Sequence, residues 1–209
     1  MGHTTGGLIL TLVASKHTID SRFDGIILNS PFFQFNLPPV QKKIIPLLAA
    51  LGKIFPKVKV TGGFSENYGI YLHQAAKGEW DYNLQWKPHI APKVNLGWIR
   101  AIYNGQKALQ KPFSVQQPVL VMHAATSGNG HQTDSVLSTD IILNIRDIDR
   151  TARNIRGDVE IISIPGGIHD LILSRKPVRE KAYDILFEWI ERKFYSEKNT
   201  EKQTVYFTF

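Results

Sequence analysis

The sequence predicts an α/β fold, the later part of a parallel sheet with helices on its faces, and three observations predict it. Short apolar runs at residues 25–29, 119–122 and 159–164 read as buried strands. Helical periodicity precedes, separates and follows them, giving the order helix, strand, insertion, strand, helix, strand, helix, the pattern of a parallel α/β sheet. The insertion, irregular and aromatic-rich over residues 56–112, is placed over the carboxyl ends of the strands, where such sheets keep their sites.

Residues 4–16 carry Leu8, Leu10, Leu12 and Val13 and read as a helix entered through Gly6-Gly7. The run 25–29 is bounded by Asp24 and by Ser30-Pro31. Pro38-Pro39 opens a helix to about residue 55, with proline in its first turn where no backbone donor is lost, and Pro46 is expected to kink it. Residues 94–111 read as a helix. The segment 124–139, rich in Gly, Ser, Thr and Asn, reads as a loop, and a helix follows near 145–155. After the last strand and a loop at 165–170, a helix over 178–195 shows Tyr183, Leu186, Phe187 and Ile190 at helical spacing. The tail, 196–209, is polar and then aromatic. No internal repeat is visible.

With 209 residues, 43% of them hydrophobic, the chain holds one domain with an insertion or two small ones, and it is neither disordered, collagenous nor a mini-protein. It has no cysteine, which excludes disulfides, thiolate metal sites and a cysteine nucleophile. The net charge of +7 is spread in pairs such as Lys42-Lys43 and Arg192-Lys193, without the basic run interleaved with aromatics that marks a nucleic-acid surface. No Lys or Arg precedes the apolar residues 8–14, and the run 44–55 is broken by Pro46 and Lys53 and is too short to span a bilayer. The expectation is a cytoplasmic protein with peripheral membrane contact as its closest approach to lipid. His17, His73, His89 and His131 lack carboxylates at ligand spacing, so no metal and no cofactor is expected.

The first seven residues are the most informative. Gly2-His3-Thr4-Thr5-Gly6 matches G-x-S-x-G with Thr in place of Ser, followed by Gly7 and an apolar helix. This is the pattern of a nucleophile elbow, a sharp strand-to-helix turn that lifts one hydroxyl above the sheet. The amide of Thr5 and the helix N-terminus then face a developing oxyanion. Asp140 follows the second strand and His169 the third, in Gly166-Gly167-Ile168-His169-Asp170, so the chain order is nucleophile, acid, histidine. Alternatives stand beside each. Thr4 is also a good helix N-cap. Asp134 competes with Asp140, as does Asp147, which the helical pattern puts on an exposed face. His3 reads as a packed neighbour of the elbow, His123 as a packed histidine and Ser30 as a lone loop serine.

The stretches GHTTGGL, ILNSPFF, GEWDYNLQWKP, PVLVMHA, TDIILNIRDI and GGIHDLILS make the chain resemble the α/β-hydrolases of the monoacylglycerol-lipase, lysophospholipase and serine-aminopeptidase-like group over nearly its whole length. The resemblance implies the C-terminal part of an α/β-hydrolase fold with a mostly helical cap. Residues 1–31 would hold the elbow helix and the following strand, 32–112 the cap, 113–195 the acid and histidine loops, and 196–209 a tail. It puts Thr4 at the nucleophile position, Asp140 at the acid and His169 at the base, with the Thr5 amide in the oxyanion hole. The implied substrate is a small-molecule ester or lipid.

Two departures stand out. A β-branched residue occupies the elbow. The strands that precede the elbow in that family are absent, which leaves three strands and exposes an edge at 25–29. Two readings therefore stand: a carboxylic ester hydrolase, or a non-catalytic truncated remnant or one half of a split hydrolase whose partner is the N-terminal half. Trp80, Tyr82 and Trp86 read as cap packing. The helix over 39–55 is apolar on most faces, and a lid meeting an acyl chain or a membrane explains the excess, with Lys42, Lys43 and Lys53 suiting an anionic surface.

Overall fold

A computed structural model describes residues 1–16, 23–60, 66–130 and 133–195. The tail 196–209, His17 and His131 lie outside the described residues. In chain order the elements are β1 (Gly2–His3), α1 (Thr5–Lys16), β2 (Ile26–Asn29), α2 (Pro39–Lys42), α3 (Ile45–Ile54), β3 (Lys59–Val60), α4 (Asn67–Leu72), β4 (Val94–Asn95), α5 (Leu96–Ala108), β5 (Phe113–Ser114), β6 (Val119–Ala124), α6 (Thr133–Ser138), α7 (Ile145–Ala152), β7 (Ile155–Arg156), β8 (Val159–Ile164) and α8 (Lys176–Phe194).

The main sheet has the order β1-β2-β6-β8, parallel at every pairing. β6 is buried along its whole length, as a strand covered on both faces must be. Its residues alternate between two cores. Val119 and Val121 join Ile26 and Leu28 of β2 under α1, α5 and α7. Leu120 and Met122 join Ile164 of β8 under α8. Period-two alternation thus makes one strand the floor of both layers.

Three expectations from the sequence are corrected. The exposed edge is not at residues 25–29: Gly2 and His3 pair with Leu28 and Asn29, so β2 is interior and β1 is the edge. The helix expected over 39–55 is two helices. Pro46 stands in the first turn of α3, so it starts a helix instead of kinking one. The helix expected over 178–195 is present as α8; its core face is Ala182, Leu186 and Trp189, while Tyr183 and Phe187 stack on each other at 6.1 Å on the outer side. Trp86 is not packing in the cap: it is 88% exposed. Trp80 and Tyr82 do pack, against Tyr68, Leu72 and Ile168.

Between β2 and β6 the chain forms α2 to α5. α5 faces two ways: Ile102 and Leu109 belong to the core under α1, and Leu96 and Ile99 pack on Ile45 of α3. Among the described residues no helix is long and apolar enough to cross a membrane.

Candidate active site

Because the sheet is parallel, β1, β2, β6 and β8 end on one rim. Thr4 follows β1, Ser30 follows β2, the loop to Asp140 follows β6, and the loop to His169 follows β8.

At the first of these ends the chain turns sharply. Thr4 has φ +46°, in the left-handed region that β-branched residues avoid. An ordinary threonine N-cap sits in the extended region, so capping alone does not account for this backbone. The turn is pinned on three sides. The Thr4 N–H donates to the Asn29 carbonyl at 3.2 Å, and its own carbonyl accepts the amides of Leu8 at 3.2 Å and Phe32 at 2.9 Å. The glycines answer to close approach. A Cβ on Gly2 would stand 2.8 Å from the Gly6 carbonyl oxygen, and one on Gly7 would stand 2.8 Å from Pro31 Cβ, whereas one on Gly6 would meet nothing. Thr5 opens α1, where the first amides have no acceptor inside the helix. Ser30, in register beside Thr4, shares the left-handed conformation at φ +45°, and its buried hydroxyl has no hydrogen-bond partner among the described residues.

Asp140 and His169 come together. His169 Nδ1 lies 3.0 Å from Asp140 Oδ2, and both side chains are buried. The other carboxylate oxygen, Oδ1, accepts the amides of Ile142 and Leu143, each at 2.8 Å. The loop between β6 and Asp140 is closed at its base by Asp140 N–H to the Thr126 carbonyl and Gly128 N–H to the Asp140 carbonyl. With the carboxylate accepting, His169 carries its proton on Nδ1 and leaves Nε2 as the basic nitrogen. Tyr68 of α4 meets the imidazole edge-on at 5.9 Å. Burial, with Asp170 and Asp140 nearby, holds the Tyr68 hydroxyl well above its usual pKa, so it stays protonated.

The elbow and the histidine meet through His3, whose ring lies 4.8 Å from that of His169. His3 Nδ1 bonds to the Asn29 carbonyl at 3.0 Å, which makes it the protonated nitrogen, and its Nε2 faces Asp170 Oδ2 at 3.8 Å. Burial, and next the neighbouring His169, push the His3 pKa below its ordinary value, so His3 is neutral at pH 7.

Of the competing acids, Asp147 is not on an exposed helix face. It is buried and paired with Lys42 of α2 and Arg150. The same pair takes Lys42 away from the role of a free surface cation. Asp134 lies outside the residues whose side chains are described. His123 is buried, with Nδ1 on the Ala124 carbonyl. Among the described residues no three His, Cys, Asp or Glu side chains gather to hold a metal. Sequence reasoning missed two residues here, Asn29 and Asp170, bonded to each other at 2.7 Å beside the histidine.

Phe32, whose amide holds the Thr4 carbonyl, stacks with Trp98 at 6.3 Å and meets Phe35 edge-on at 5.2 Å. An aromatic wall therefore starts one bond away from the elbow.

The family model described as "Serine aminopeptidase, S33" matches residues 1–176. No curated protein matches the chain. Among solved structures, a monoacylglycerol lipase from Paleococcus ferrophilus superposes with a TM-score of 0.68 at 16% identity, over 92% of this chain and 67% of that one. A soluble variant of the monoglyceride lipase of Saccharomyces cerevisiae, in complex with a substrate analogue, superposes at 0.63 with 16% identity, over 92% of this chain and 64% of that one. The mouse α/β-hydrolase domain-containing protein 10 superposes at 0.52 with 16% identity, over 91% and 60%. This chain thus spans less than two thirds of the yeast and mouse chains.

Proposed function

The chain belongs to the serine aminopeptidase (S33) family of α/β-hydrolases, and from that footing we propose that it is a carboxylic ester hydrolase of the monoacylglycerol-lipase or lysophospholipase type, working through an acyl-enzyme on Thr4. The observation that carries the reading is the buried Asp140–His169 hydrogen bond on the same rim as the strained Thr4. In this reading His169 Nε2 takes the proton of the Thr4 hydroxyl as its oxygen attacks the ester carbonyl. The oxyanion forms toward the Thr5 N–H. The carbonyl re-forms, the C–O bond to the alcohol breaks, and the departing alkoxide takes the proton from His169. Water, deprotonated by the same nitrogen, then releases the fatty acid and restores Thr4. Asp140 holds the imidazole in its tautomer and offsets the charge it gains. The aromatic wall of Phe32, Phe35 and Trp98 supports an acyl chain as the group held beside Thr4.

The test is chemical capture. Incubation with a long-chain nitrophenyl ester or an alkyl fluorophosphonate is expected to leave the acyl or phosphonyl group on the peptide carrying Thr4, read by mass spectrometry. An adduct elsewhere, or none, overturns the assignment.

The reading includes contact with a lipid surface. Val40, Leu47, Ile54, Phe55 and Val58 are each at least half exposed, and Lys43, Lys53 and Lys57 lie exposed among them. An apolar face with cations at its rim suits an anionic bilayer surface. The chain is expected to float with phosphatidylcholine vesicles that contain phosphatidylserine and less with vesicles that do not. Leu47→Glu and Ile54→Glu are each expected to weaken binding about tenfold, since burying such a side chain is worth about 1.5 kcal/mol or more. Equal flotation of variants and parent would remove the surface from the proposal.

A further inference from the structure

β2 is apolar through Ile26, Ile27 and Leu28 and then ends on Asn29, which is 1% exposed. A buried amide among apolar neighbours is costly unless its groups are bonded, and those of Asn29 are bonded to two different loops. Toward the elbow, its main-chain carbonyl accepts the Thr4 N–H at 3.2 Å and the His3 Nδ1–H at 3.0 Å. Toward the histidine, its Nδ2 donates to Asp170 Oδ1 at 2.7 Å, and its Oδ1 accepts the Leu171 N–H at 3.3 Å. Asp170 and Leu171 directly follow His169. Asp170 Oδ1 also accepts the Ile172 amide at 3.2 Å, which closes the short turn Leu171–Leu173 onto the same carboxylate.

We propose that Asn29 is a positioning residue: by tying the Asp170–Leu171 segment to the end of β2, it sets where His169 stands relative to Thr4. Asp140 fixes the tautomer and direction of the imidazole from the far side of the ring. Asn29 fixes the loop that carries the imidazole against the sheet that carries the elbow. A strand end is a better reference point than a loop, because the register of β2 between β1 and β6 holds it on both sides. The catalytic consequence rests on the ester-hydrolase reading, and the tie itself does not.

The experiment compares Asn29→Ala, Asn29→Asp and the exchange Asn29→Asp with Asp170→Asn in the full chain. Asn29→Asp sets two carboxylates against each other. The exchange restores an amide–carboxylate bond with donor and acceptor reversed. Each single variant is expected to lower kcat about 100-fold with KM little changed, the size of effect a displacement of about 1 Å produces. The exchange is expected to recover most of that loss. In parallel, hydrogen exchange at the Leu171 amide is expected to accelerate in Asn29→Ala, while the Ile142 and Leu143 amides held by Asp140 keep their protection. The hydrogen-exchange measurement needs no turnover, so it still tests the tie if the parent chain fails to hydrolyse esters. Unchanged protection at Leu171 overturns the tie. Lost protection with unchanged kcat, or a loss of kcat that the exchange does not recover, overturns the positioning role.

Discussion

Replacing Asp140 by asparagine is expected to lower kcat for ester hydrolysis about 10⁴-fold while leaving the chain folded. The reason lies in which groups the carboxylate serves. Oδ1 accepts the Ile142 and Leu143 amides, and an asparagine carbonyl oxygen can continue to do so. Oδ2 faces His169 Nδ1, and there the substitution places an NH₂ donor. Two donors cannot share a hydrogen, so the imidazole proton moves to Nε2 and the basic nitrogen turns away from Thr4. The loop keeps its shape and the site loses its base. Far-ultraviolet circular dichroism is expected to be unchanged, and the low-field proton resonance of the His169 Nδ1–H is expected to disappear. Asp147→Asn is the control. It weakens the contacts to Lys42 and Arg150 and is expected to cost stability without moving kcat by more than a few-fold. If the two variants lose activity equally, Asp140 is not the partner that sets the tautomer.

The contrast between these two aspartates shows what the sequence could and could not disclose. Chain order and loop placement narrow the acid only to the segment after the second long strand, where Asp134 also stands; the choice of Asp140 is what the family resemblance implies, and the structure sets its carboxylate 3.0 Å from His169. Asp147 is beyond such reach, because helical periodicity reports neighbours on one helix. The cation that holds it, Lys42, arrives from a helix 105 residues earlier. Asn29 is illegible for the same reason. Its side-chain partners lie 141 and 142 residues downstream, and nothing local distinguishes a hub from a polar residue closing a strand.

The sheet was readable where strands are long and β-branched, as at 159–164, and unreadable at β1. Gly2 and His3 have no strand preference of their own, and they pair because β2 offers an edge in register. The outward stack of Tyr183 and Phe187 on α8 shows the complementary limit. Apolar spacing marks a helix, but which of two adjacent apolar stripes meets the sheet is decided by the facing surface, here Leu120, Met122 and Ile164.

Thr4 is where local sequence and local backbone conflict most directly, and changing it is expected to raise and abolish activity by turns. Thr4→Ser is expected to increase ester turnover roughly tenfold to a hundredfold. Threonine stands at φ +46°, where its branched Cβ is crowded, and the backbone cannot relax, because Asn29, Leu8 and Phe32 hold the amide and carbonyl on three sides. Serine keeps the hydroxyl and its proton chemistry without the methyl. Removing one overpacked methyl is worth about 1–3 kcal/mol, and each 1.36 kcal/mol off a barrier is about tenfold in rate. The gain belongs to acylation, the step in which the hydroxyl must approach the ester carbonyl, so it is expected in the burst rate more than in the rate of deacylation. Thr4→Ala is expected to remove the burst and the covalent adduct altogether. Thr5→Ser is expected to change little, because in the proposed mechanism the amide of that residue, not its hydroxyl, is the group offered to the oxyanion. A Thr4→Ser chain slower than its parent would mean that the elbow is shaped around threonine, with the methyl group helping to aim the hydroxyl.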